Sequence, residues 1–136
     1  YLNDGISYLN NTHDELLVSI RIPSHEGWLM SYKKLRRRDS IDFPVLSVAT
    51  AFHLDKAGVC INARIVLGAV ASCPLRALQA ETLLKGEIPN AELIETSAIA
   101  AAKLAKPMDN TDMTLGYRKK MAANFVKEAI NEALGR

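Results

Sequence analysis

The sequence is short of the residues that most often advertise chemistry. In 136 residues there are two cysteines, Cys60 and Cys73, and neither stands in a CxxC pair or beside a histidine. No disulfide framework is expected, and each thiol reads as a core filler rather than a nucleophile; a reduced, cytoplasmic setting is the expectation. Aromatics make up only 6% of the chain, so no stacking platform for nucleic acid is interleaved with its cations. No apolar run approaches the roughly 18–20 residues that span a bilayer, so no membrane insertion is expected. His13, His25 and His53 lie far apart without metal-ligand spacing, and each reads as solvated or structural. No signal peptide, GxGxxG, Walker loop or GxSxG is found. Ser47, Ser72 and Ser97 have no sequence partner that would activate one of them. Neither sign of charge dominates, with 17 Lys and Arg against 15 Asp and Glu. So small an excess argues against nucleic acid as a partner. Residue chemistry alone defines no active site.

What is present is an ordinary globular balance, 49% apolar and 24% charged, enough for one domain over 1–136. The first half is strand-like. Glu15 to Ile22 (ELLVSIRI) is apolar and β-branched and stops at Pro23, which predicts a strand. Trp28 to Arg37 alternates in part and predicts a second. Val45 to Leu54 and Val59 to Ala71 alternate around Asp55-Lys56-Ala57-Gly58, which predicts an antiparallel hairpin. Leu46, Val48, Phe52 and Leu54 share one face of it, and Ile61, Ala63, Ile65, Leu67 and Ala69 another; Gly68 suggests a bulge or a close backbone approach. After Pro74 the period becomes helical. Helices are expected over Arg76 to Leu84, from an Asn90 N-cap to Pro107, and from about Leu115 to Leu134. Strands followed by helices predict an α+β fold, a three- to four-stranded antiparallel sheet with three helices packed on one face.

The most unusual local feature is Lys33-Lys34-Leu35-Arg36-Arg37-Arg38, followed by Asp39. Five cations so close repel one another unless something negative is near. One reading is a solvated strand end paired with Asp39 and Asp42. Another is contact with a phosphate-bearing or otherwise anionic cofactor, since guanidinium forks and ammonium point charges suit oxyanions. A third is nucleic acid or an acidic protein. Further on, Asp112 reads as first-turn charge for the last helix.

The run from Ser31 to Ile41 (SYKKLRRRDSI) resembles a motif of the flavin-binding subunits of molybdenum hydroxylases: an aromatic, a lysine, then Arg-Arg-acidic. Three further blocks agree in order. They are Asp14-Glu15-Leu16-Leu17 with Ile20-Arg21-Ile22-Pro23, Pro74-Leu75-Arg76-Ala77 with Glu81 and Leu84, and Tyr117-Arg118 with Met121 and Ala129-Ile130. The resemblance implies the C-terminal domain of a longer FAD-binding subunit, and a chain that opens on Tyr1 rather than Met fits a cut from such a polypeptide. Upstream segments would then hold most of the FAD. Partners would be that upstream FAD-binding domain and the molybdenum and iron–sulfur subunits, which carry the molybdenum cofactor and 2Fe-2S clusters. Residue by residue, Leu17 matches a side chain lying against the flavin ring, with a core strand residue as the plain alternative. Lys33 matches a lysine near the pyrimidine end of that ring, with Lys34 as the neighbouring candidate and a surface charge as the plain alternative. Arg37 and Arg38 read as interface anchors. Arg76 is expected to tie sheet to helix through backbone carbonyls. The function implied is to cover the isoalloxazine and aid assembly while electrons pass from iron–sulfur clusters to FAD. A purely structural, subunit-assembly module is the alternative.

Overall fold

A computed structural model of the chain describes every residue except Asn3, Ser40 and 110–112; the Asp112 expectation falls outside the described residues. Among the described residues the order is β1 (Leu29–Leu35), β2 (Leu46–Leu54), β3 (Cys60–Gly68), β4 (Leu75–Arg76), α1 (Leu78–Leu84), α2 (Ala91–Ala102) and α3 (Leu115–Ala133). The strands form one antiparallel sheet in the order β1-β2-β3-β4. This is the α+β architecture that the sequence pattern predicts.

Period-two alternation decides which face is covered. Leu46, Val48, Thr50 and Phe52 of β2 and Ala63, Ile65 and Leu67 of β3 are buried against the helices. The Thr50 hydroxyl donates to the Ala129 carbonyl of α3 at 3.0 Å, so the one polar position in that stripe is satisfied. The core is completed by Ala77, Ala80 and Leu84 around α1, by Ile94, Ala98 and Ala101 of α2, and by Ala122, Val126, Ala129 and Ile130 of α3. So many alanines let helices and sheet approach closely, and the larger volume is supplied by the strands. Among the described residues, no helix covers the opposite sheet face.

The ends of the helices follow local rules. The Asn90 side chain accepts from the Leu93 N–H at 2.8 Å, as an N-cap should. Thr114 caps α3 by accepting from the Tyr117 N–H at 3.3 Å. Gly86, at φ +86°, ends α1 and donates to the Cys60 carbonyl at 2.8 Å, which ties the turn to β3. Gly68 proves to be a close approach: a Cβ there would lie 2.5 Å from Ser47 Oγ on the paired strand.

Three expectations need correction. The run Glu15–Ile22 forms no strand, and its apolar side chains are exposed; a strand needs a neighbour, and none of the described residues supplies one. The register shifts between His53 and Leu54, so that Leu54 pairs with Cys60. This bulge turns Ile61 outward and buries Cys60 in its stead. Helix α1 begins at Leu78 rather than Arg76, because Leu75 and Arg76 pair with β3 as the short strand β4.

Candidate functional site

Strand β1 is an edge strand of the sheet, opposite β4, and it carries the front of the cationic run. Ser31, Lys33 and Leu35 face α3, whereas Met30, Tyr32 and Lys34 alternate to the open side. Lys33 Nζ lies 2.9 Å from Glu132 Oε2 near the end of α3. Ser31 Oγ donates to the same oxygen at 2.8 Å. The hydrogen bond to Glu132 holds the Lys33 ammonium above its ordinary pKa, and the carboxylate of Glu128 adds to this. Hydrogen bonds from Lys33 and then Ser31 hold Glu132 below the usual carboxylate range. A carboxylate with a depressed folded-state pKa contributes above its unfolded value, so the tie between β1 and α3 is present at neutral pH. It is lost as pH falls through the lowered value. With the Lys33 side chain one-third exposed (33%), the ammonium is oriented yet reachable.

The open face, on the side of the sheet away from the Lys33 ammonium, holds a shallow cavity of about 440 Å³ lined by Met30, Tyr32, Ala49, Ala51, Arg64 and Val66. Its floor is of small side chains, with a guanidinium at the rim. Toward the far end of β2, Trp28 stacks on His53 at a ring-centroid distance of 5.8 Å and an angle of 28°. The rest of the cationic run lies in the exposed β1–β2 connection. There the Arg37 N–H donates to Asp42 Oδ2 at 3.2 Å, and the Arg38 guanidinium donates to the Ile41 carbonyl at 3.0 and 3.2 Å. Asp42 thus lies beside the run and accepts from the Arg37 backbone N–H, while Lys33 finds its partner on a helix distant in sequence.

Leu17 is 76% exposed and takes no part in the core of this chain. It lines a separate depression with Leu9, Asn10, Asn11, Glu15 and Leu16. Lys33 is not among those walls, so the chain by itself does not bring the two residues together. Among the described residues, no group of three or more His, Cys, Asp or Glu is poised to hold a metal ion. The buried Cys60 thiol is pushed up in pKa by desolvation, as suits a core filler.

Two residues quoted in the motif blocks without a role prove to be polar anchors. Arg118, buried on α3, donates from Nε to the Val45 carbonyl at 3.1 Å, from Nη1 to Met108 at 2.7 Å and from Nη2 to Ala69 at 2.6 Å. Burial alone pulls its pKa down. Glu81, buried on α1, accepts from the Ile65 N–H at 2.9 Å and from Arg76 Nε and Nη2 at 2.9 and 2.6 Å. Arg76 does tie sheet to helix, but through this carboxylate instead of the backbone carbonyls expected. The available signal was position: each charge sits on an otherwise apolar helical stripe, Arg118 four residues before Ala122 and Glu81 between Ala80 and Leu84.

A four-stranded antiparallel sheet covered on one face by three helices is an α+β domain, and known proteins give its class. The family model described as the CO dehydrogenase flavoprotein C-terminal domain matches residues 30–133, and the chain belongs to that family. It is 30% identical over 127 residues to the carbon monoxide dehydrogenase medium chain of Hydrogenophaga pseudoflava, covering 90% of this chain and 42% of that protein. It is 27% identical over 118 residues to the glyceraldehyde dehydrogenase medium chain of Sulfolobus acidocaldarius, covering 87% and 41%. A solved carbon monoxide dehydrogenase of H. pseudoflava, lacking the Mo-pyranopterin moiety of the molybdenum cofactor, superposes with a TM-score of 0.75 at 30% identity. That match covers 81% of this chain and 38% of that one. Quinoline 2-oxidoreductase from Pseudomonas putida 86 shares the fold, with a TM-score of 0.72 at 23% identity over 79% and 38% of the two chains. The chain thus spans less than half the length of the relatives it matches. Among the described residues, no helix is long and apolar enough to cross a membrane.

Proposed function

We propose that this chain is the C-terminal domain of a longer FAD-binding subunit in an oxidoreductase of the molybdenum hydroxylase type. In this reading it covers the isoalloxazine ring, tunes its potential and helps dock the subunits bearing molybdenum and iron–sulfur clusters. Electrons would pass from those clusters to FAD. The observation that carries the reading is the Lys33 ammonium, oriented by Glu132 on the outer strand of a domain of this family.

The residues present fit the ring end of FAD and not its phosphates. The chain has no glycine-rich phosphate loop, so the pyrophosphate would be held upstream. Lys33 offers a reachable positive charge, and Leu17 an apolar side chain with no role in the core of this chain. When bound, FAD supplies two-electron chemistry. Lys33 contributes a fixed charge that favours the anionic reduced ring, and Glu132 holds that charge in place. Arg36, Arg37 and Arg38, exposed beyond β1, supply a surface for an acidic neighbouring subunit.

Replacing Lys33 with Ala in the intact subunit tests this. We expect the flavin midpoint potential to fall by about 20–40 mV. An unchanged potential with weaker subunit assembly would favour a purely structural module.

A further inference from the structure

Lys33 has two carboxylates before it and bonds one of them. Glu128 and Glu132 stand four residues apart on α3, so their side chains share a face. Both act on the Lys33 ammonium, Glu132 through a hydrogen bond and its charge, Glu128 through its charge alone. Strand β1 and helix α3 run in opposite directions. At one end the Leu35 carbonyl accepts from the Val45 N–H, and the Val45 carbonyl accepts from Arg118 near the start of α3. At the other end Ser31 reaches Glu132 near the close of α3. Two strand residues advance about 6.6 Å, and one helical turn about 5.4 Å. The step from Ser31 to Lys33 therefore carries the backbone away from Glu132 and toward Glu128. The Lys33 side chain nevertheless turns to Glu132, with Nζ 2.9 Å from Oε2.

Coulomb attraction does not make that choice. An ammonium on a flexible four-carbon stem serves either carboxylate, and both are exposed. What separates the two acids is Ser31. Its Oγ donates at 2.8 Å to the same Glu132 oxygen that Lys33 takes. Among the described residues, none donates a side-chain hydrogen bond to Glu128. Ser31 is fixed by strand pairing with Thr50, as Lys33 is with Val48. A hydroxyl on so short a side chain is a donor held in place at little cost in entropy.

We infer that Ser31 is a positioning residue: its hydroxyl selects Glu132 over Glu128 as the partner of Lys33 and so fixes where the ammonium stands. The inference rests on the reading of Lys33 as the charge beside the flavin, and it adds the group that sets that charge in place. Ser31 acts on the ring only through Glu132 and Lys33.

Two measurements test it. In the 136-residue chain, carbon-13 NMR should show the Glu132 carboxyl titration moving up toward the ordinary carboxylate range in Ser31→Ala. Ser31→Thr, which keeps the hydroxyl, should restore the original titration. In the intact subunit, flavin midpoint potentials are read for Glu128→Gln and Glu132→Gln, each with Ser31 in place and each combined with Ser31→Ala. With Ser31 in place, Glu132→Gln should give the larger rise. Combined with Ser31→Ala, the two rises should become comparable, since the ammonium is then shared. A Glu132 titration that does not move in Ser31→Ala would overturn the inference, as would a Glu132→Gln rise that stays the larger by the same margin. Lys33→Ala keeps the two questions apart. If it leaves the potential unchanged, the flavin reading fails, and the Glu132 titration alone judges the role of Ser31.

Discussion

Replacing Arg118 with Leu should lower the melting temperature of the chain by about 10–20 °C, a loss on the order of 3–5 kcal/mol for a domain this size. The substitution keeps the apolar stem but removes donors from the carbonyls of Val45, Ala69 and Met108. Those carbonyls lie just before β2, just after β3 and in the connection into α3, so one side chain joins three segments far apart in sequence. The Val45 bond is buried, and a buried acceptor left unmet costs more than the net worth of its bond. Ala69 adds to the effect. It holds φ at +63°, a left-handed conformation that an L residue adopts only at a cost, and its carbonyl is fixed by Arg118. Arg118→Lys should recover little, since one ammonium cannot reproduce the spread of a guanidinium fork. Thermal denaturation followed by circular dichroism reads this directly; a shift of a degree or two would contradict it.

Glu81→Ala should cost about 2–4 kcal/mol. The carboxylate is nearly inaccessible, with 7% of its side chain exposed, and it satisfies both the Ile65 N–H of the central β3 and the Arg76 guanidinium. Its loss strands a buried donor and unpairs a cation. Arg76→Leu should cost less, because Arg76 is itself partly exposed and the carboxylate keeps its bond to Ile65. Denaturant unfolding of the two variants should show that order. Equal costs would mean that the Ile65 bond contributes nothing.

Much of this fold was readable because local and global signals agree. The hairpin shows as two alternating runs around Asp55–Gly58, and α3 as a stripe through Ala122, Val126, Ala129 and Ile130. The Asn90 cap is a one-residue rule that the backbone obeys. What escaped reading depends on partners distant in sequence or outside the chain. The bulge that exchanges Ile61 for Cys60 follows from how β3 meets the turn after α1, where Cys60 also donates to Glu87. Strand β4 is only two residues long, too short for periodicity to register. The 15–22 run reads as a strand by composition, but none of the described residues pairs with it. At the candidate site, the lysine came from a motif, whereas its carboxylate lies about a hundred positions away and no local pattern links them.

The central claim is that Lys33 senses charge on the flavin and that Glu132 sets the strength of this effect. Glu132→Gln keeps a side chain of the same size beside Lys33 but removes the opposing charge. The most direct measurement is therefore the flavin midpoint potential of the intact subunit carrying Glu132→Gln, read beside that carrying Lys33→Ala. Shifts of opposite sign are expected: upward for Glu132→Gln, where the ammonium is left uncompensated, and downward for Lys33→Ala. Shifts in the same direction, or none in either variant, would contradict it.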